Sequence, residues 1–247
     1  MRLALASRTH RGPIEIAAAV ALYAVYEVIR GVGGENWARA RLNTSDIVAL
    51  EQQLGVYWEH GIQAASLAVP GFGTILGVLY LALHLGGTTA FLVWVYRSRR
   101  ASFAFVRTTV VLSTAFSLVG YIAYPAAPPR LADLGFSDAV TSHTGLDLSS
   151  DLLGALYNPI AAVPSLHFGY ALIVGAGLYA LGRNPWLRAA GVAYPLAMLY
   201  IIVATGNHFL FDAAAGGAVV VAAWLATRWV VRREPAIAQR RRAAIQA

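Results

Sequence analysis

Six apolar runs set the terms for this chain. They lie at Pro13–Ile29, Thr74–Tyr96, Phe103–Tyr124, Ser165–Leu181, Trp186–Ala204 and Phe209–Val231. Each approaches the ~20 residues that cross a ~30 Å hydrocarbon core as a helix. Lipid offers the backbone no hydrogen bonds, so only helices or closed barrels span it. The runs are continuous rather than alternating, which selects helices over barrel strands. The expected fold class is therefore all-α: a polytopic membrane protein of six transmembrane helices, residues 1–247 forming a single integral membrane domain. Charge agrees, at 13% of residues against about 25% in a soluble domain.

The basic stretch Met1–Arg11 followed by an apolar run imitates a signal peptide. The run continues to Ile29 and lacks a clear small-residue cleavage site, so it reads as a retained first span. Thr44–Val69 is different. Ile47, Leu50, Leu54, Val56, Tyr57 and Trp58 are interleaved with Asp46, Glu51, Gln52, Gln53, Glu59 and His60. Thr44 and Ser45 suit an N-cap and Asp46 a first turn. The segment predicts an amphipathic helix lying at the membrane surface or packed over the spans. Pro70-Gly71-Phe72-Gly73 ends it.

All 19 basic residues are arginine, and the chain has no cysteine. Disulfides and thiolate metal sites are thus excluded. With the N-terminus inside, fifteen arginines fall in inner segments and four, Arg30, Arg39, Arg41 and Arg130, in outer ones. The positive-inside rule then places both termini in the cytoplasm. The basic tail Arg240–Arg242 reads as a membrane-side anchor rather than a nucleic-acid patch. Pro125–Pro164 becomes a long outer loop carrying Asp133, Asp138, His143, Asp147 and Asp151, a length that is usually functional or disordered.

This topology brings three polar clusters to the outer face. Tyr124-Pro125-Ala126-Ala127-Pro128-Pro129-Arg130 leaves the third run, Pro164-Ser165-Leu166-His167 opens the fourth, and Asn207-His208 opens the sixth. His208 and Asp212, at i and i+4, share a helix face. A carboxylate bonded to one imidazole nitrogen fixes the tautomer and leaves the other nitrogen for attack. A structural His–Asp pair would have the same spacing. Ser165 and His167 follow Pro164, which suits a first helical turn. Free N–H groups there favour phosphate, with Ser165 as a donor and His167 as an acid toward a leaving oxygen; an interfacial Ser–His cap would read the same. Arg130 is placed to clamp phosphate, unless it is an ordinary loop charge. Tyr157, Asn158 and Asn207 can add hydrogen bonds.

On these motifs the chain resembles the type 2 phosphatidic acid phosphatase superfamily. Ala161-Ala162-Val163-Pro164-Ser165-Leu166-His167 with His208-Phe209-Leu210-Phe211-Asp212 looks like the branch of inositol phosphorylceramide synthase and its bacterial relatives. That branch reads Pro-Ser-Leu-His where lipid phosphatases usually read Pro-Ser-Gly-His. The motif-bearing part covers about residues 123–217. The resemblance implies His208 as nucleophile, Asp212 orienting it, His167 as acid and then base, and Ser165 and Arg130 holding phosphate. It implies a lipid-phosphate substrate, a polyol or water as acceptor, and no cofactor or metal. Two departures stand out. Ala123 occupies the place of the family's lysine, and Ile201-Ile202 that of its Ser-Arg. With two cations missing, a phosphodiester is easier to hold than a dianionic monoester. The expected activity is a phosphotransferase acting through a phosphohistidine; a lipid phosphate or polyprenyl-phosphate phosphatase is the alternative. A non-catalytic transporter or scaffold would be expected to show repeat symmetry or midplane polar groups. Gly175, Gly177 and Tyr194-Pro195 are more simply read as close helix packing.

Overall fold

A computed structural model describes residues 36–145 and 158–246, together with Ala21 and Ala24, and gives side chains as far as Trp229. The main compact unit begins at Trp37. Its helices are α1 (Trp37–Gln53), α2 (Glu59–Leu67), α3 (Phe72–Ser98), α4 (Arg100–Ala123), α5 (Ala139–Thr144), α6 (Leu166–Leu181), α7 (Pro185–Ala204) and α8 (Leu210–Gln246). No strand occurs among the described residues; a lone parallel bridge joins Ala126 to Ala161.

Four helices are long and apolar enough to cross a membrane: α3, α4, α7 and the Leu210–Trp229 part of α8. Between 22% and 33% of each apolar window is buried within the protein. The remainder, including Val119, Leu196 and Trp229, faces outward, which calls for lipid around it. The predicted span Ser165–Leu181 falls short. Its helix has 16 residues, about 24 Å at 1.5 Å per residue. It is nonetheless the central strut, packing on α7, α8 and α4. The predicted span Pro13–Ile29 lies outside the described residues.

α6 and α7 touch backbone to backbone. A Cβ on Gly191 would lie 2.6 Å from the Gly175 oxygen and one on Gly175 2.5 Å from the Gly191 oxygen, the close approach that small residues allow between membrane helices. Pro195, inside α7, packs against the same glycine.

The expected helix over Thr44–Val69 is two helices, packed over α7 and α8. Gly55 turns the chain between α1 and α2 with φ 70°. Thr44 and Ser45 lie inside α1 rather than capping it. The Thr44 hydroxyl bonds the Ala40 and Ala127 oxygens and accepts from the Ala127 N–H, which ties α1 to the loop after α4. Leu42, Leu50, Leu54 and Trp58 are exposed, whereas Thr44, Glu51, Glu59, Gln63 and Ser66 are buried. The hairpin thus buries Ile47 together with several polar groups that turn toward α7 and α8, and leaves some of its largest apolar side chains outside beside Asp46, Gln52 and Gln53.

Candidate active site

The turn between α7 and α8 is held by main-chain and side-chain bonds. Asn207 and His208 both donate their N–H to the Ile202 oxygen, at 3.0 and 3.1 Å. Gly206 takes φ 71°, and a Cβ there would lie 2.7 Å from Gln63 Nε2 and 3.0 Å from the Ser137 oxygen. Both conformation and space therefore require glycine. The Gly206 oxygen accepts from the Arg130 N–H at 2.9 Å. Ile201 and Ile202 are core residues of α7.

His208 is buried, and its Nδ1 lies 3.2 Å from Asp212 Oδ2. A carboxylate only accepts, so Nδ1 carries the hydrogen and Nε2 keeps its lone pair. The same Oδ2 accepts from the Phe209 N–H at 2.9 Å. Nε2 faces His167 Nδ1 at 3.4 Å. Residues 41 apart in sequence are thus brought ring to ring.

Ser165 caps α6 by accepting from the Phe168 N–H at 3.4 Å. Its own N–H donates to the Asp212 oxygen at 2.9 Å. A Cβ on Gly216 would run into the Ser165 main-chain oxygen, so the two motif helices touch here at main-chain level. The buried Ser165 side chain thus caps its own helix start.

Arg130 sits in a 3₁₀ turn, Pro129–Leu131, with its side chain 2% exposed. Nε donates to Asn207 Oδ1 at 2.9 Å and Nη1 to Asp138 Oδ2 at 2.7 Å. Asn207 in turn donates to Thr205 Oγ1 at 2.9 Å. Arg130 and Asn207 are therefore one unit beside His208, with part of the guanidinium charge offset by Asp138. Asn158 bonds its own loop: its Oδ1 accepts from the Ile160 N–H at 3.0 Å and its main-chain oxygen from Ala161. That turn leads into the Ala126–Ala161 bridge. Tyr157 lies outside the described residues.

Three residues at the site escaped the sequence reading. His84 lies in a π-helical turn, Ala82–Gly87, within α3. Its ring centroid is 3.9 Å from that of His167 and 5.5 Å from that of Tyr170, nearly parallel to the latter. His167 also stacks on Tyr80 at 4.5 Å. A π-turn often marks a functional site, and an ionisable residue in mid-span is itself a signal. Glu51 and Glu59 are the others. Glu59 Oε1 accepts from the Leu210 N–H at 2.9 Å and Glu51 Oε1 from the Phe211 N–H at 2.6 Å. With Asp212 on the Phe209 N–H, three consecutive amides at the start of α8 are each taken by a carboxyl group. Carboxylates at a helix N-terminus also suit its dipole.

Comparison with known proteins agrees with this geometry. No curated protein and no solved structure gives a significant match. A family model described as PAP2 superfamily matches residues 45–226, from α1 through the span of α8. Covering most of the chain and both histidine motifs, that match establishes that the protein belongs to the PAP2 superfamily.

Proposed function

We propose that this protein is a membrane-embedded phosphotransferase that moves a phosphoryl or phospho-head group between a lipid donor and a polyol or lipid acceptor through a phosphohistidine on His208. Members of the superfamily are phosphatases or phosphotransferases of lipid phosphates. The observation that carries the finer reading is the apposition of His208 Nε2 and His167 Nδ1, with Nδ1 of His208 held by Asp212.

In the first step His208 Nε2 bonds to phosphorus as the ester P–O bond breaks, and His167 gives its proton to the leaving oxygen. In the second step His167 takes a proton from the acceptor hydroxyl, whose oxygen bonds to phosphorus as the P–N bond breaks. Reacting atoms sit about 3–3.5 Å apart before each step. A phosphoryl group with His208 Nε2 on phosphorus and His167 on the leaving oxygen therefore needs more room than the 3.4 Å between the two nitrogens. The rings must separate as substrate enters, and His167 can do so only with a shift of the Tyr80 and His84 rings packed against it.

The charge inventory supports a phosphodiester donor. Ala123 and Ile201-Ile202 supply no cation, and Arg130 already bonds Asp138. The reading places both termini in the cytoplasm and the site on the outer side. The cysteine-free chain allows a direct test. A cysteine replacing the exposed Ser142 should react with an impermeant maleimide in intact cells, and one replacing the exposed Ser98 only after lysis. The reverse pattern inverts the topology.

The deciding experiment incubates purified protein with a phospholipid panel, with and without myo-inositol, in EDTA. A new inositol-phosphate lipid and released head group are expected. Free phosphate alone would instead establish the lipid or polyprenyl-phosphate phosphatase, with water as acceptor. The absence of both products would overturn the catalytic reading.

A further inference from the structure

Glu51 and Glu59 come from different helices and end at the same place. Both are buried, at 2% and 0% exposure. Each spends one oxygen on an N–H of α8, and each keeps an Oε2 that is buried without a hydrogen-bond partner among the described residues. The two carboxyl groups interact directly. Asp212 lies beside them with Oδ1 in the same condition. Three ionised carboxylates in this apolar setting would repel one another, and the helix dipole supplies only about half a positive charge against them. One proton between the two Oε2 atoms removes a charge and satisfies both oxygens, as in carboxyl pairs that cannot both ionise.

We infer that Glu51 and Glu59 form a proton-sharing acid pair that positions the first turn of α8, and with it His208 and Asp212. The pair acts through the helix and is a positioning device. Gln63, one turn beyond Glu59, completes the frame. It bonds the Ser137 main chain through both ends of its amide and the Ala204 oxygen at 3.3 Å. The α1–α2 hairpin thus grips the α7–α8 turn from both sides.

The titratable groups that act on the pair are Tyr57 from the intervening loop and Asp212 from α8. Burial, then the neighbouring Glu59, pushes the Glu51 carboxyl up from 4.5 to about 8, against the pull of the Phe211 N–H. A carboxyl raised on folding holds its proton longer in the native state. Its contribution to stability is complete below the unfolded value of 4.5 and is lost as pH rises through about 8.

The test compares Glu59→Gln and Glu59→Ala with the parent by melting temperature from pH 5 to 9 and by turnover over the same range. Gln is neutral, accepts the Leu210 N–H and donates to Glu51, so it mimics the protonated partner. We expect Glu59→Gln to stay within about threefold of the parent at pH 7, and Glu59→Ala, which strands the Leu210 N–H and an unpaired Glu51, to fall by about tenfold or more. The parent should melt at steadily falling temperature as pH rises from 5 to about 8 and level off above it, and should lose turnover as pH passes about 8; Glu59→Gln should flatten both curves. Equal pH slopes in parent and Glu59→Gln, or a Glu59→Gln as impaired as Glu59→Ala, overturn the inference. The turnover arm rests on the proposed function, whereas the melting arm does not. If no lipid substrate turns over, that reading fails and the melting curves still decide the acid pair.

Discussion

Replacing His208 by alanine is expected to lower turnover by about a thousandfold or more, since a nucleophile removed from a coupled site leaves only binding and electrostatic assistance. The protein itself should survive. The main chain of the turn is held by Ile202, Gly206 and Arg130 rather than by the imidazole. Asp212 keeps its bond from the Phe209 N–H, and His167 keeps Tyr80 and His84. The informative experiment is a rapid quench of parent and variant with labelled lipid, followed by alkaline isolation of acid-labile phosphoprotein. Label should appear on the parent and be absent from His208→Ala, with membrane insertion and melting nearly unchanged. A labelled His208→Ala would assign the nucleophile elsewhere.

Asp212→Asn should rank second, with a loss of about a thousandfold in the rate of phosphoenzyme formation. The amide is nearly isosteric with the carboxylate, so steric loss is small. Two effects remain. The negative charge that steadies the imidazole as it gains positive character on phosphorylation is gone. The amide can also present N–H₂ toward Nδ1, which favours the tautomer whose hydrogen sits on Nε2 and so removes the attacking lone pair. Single-turnover kinetics checks this. A large fall in the chemical step with lipid binding little changed is the expected outcome. A variant that still phosphorylates rapidly would mean that Asp212 serves only the Phe209 N–H.

Much of the molecule was legible in its residue order, for a simple reason. Continuous apolar runs leave helices as the outcome, and α3, α4, α7 and the apolar part of α8 follow the forecast runs within a few residues. The His208–Asp212 pair was equally legible because four residues make one helical turn, and a local spacing dictates a local contact. The Ser165–Leu181 run, the shortest of the six, is less decisive, because hydropathy measures affinity for an apolar setting and does not distinguish lipid from protein. That helix is apolar because it is packed among α4, α7 and α8.

The hairpin of α1 and α2 marks the boundary. Periodicity shows that a helix has two faces, but which face turns inward depends on what surrounds it. In water the polar face would be outside. Here Leu42, Leu54 and Trp58 lie outside, and Glu51, Glu59 and Gln63 are drawn in by unsatisfied N–H and C=O groups of a turn some 150 residues away. Arg130 shows the same limit: its sequence position promised a phosphate ligand, and the fold also gives it Asn207 and Asp138. His84 was visible as a charge-bearing residue in a span, yet its stacking on His167 depends on a π-turn that no spacing rule announces. Sequence alone determined the helices, the membrane setting and the local histidine motif, because each follows from solvent preference or from contacts within one turn. Tertiary structure decided which carboxyl groups guard the start of α8 and which rings face His208, because those contacts satisfy buried polar groups whose partners lie far apart along the chain.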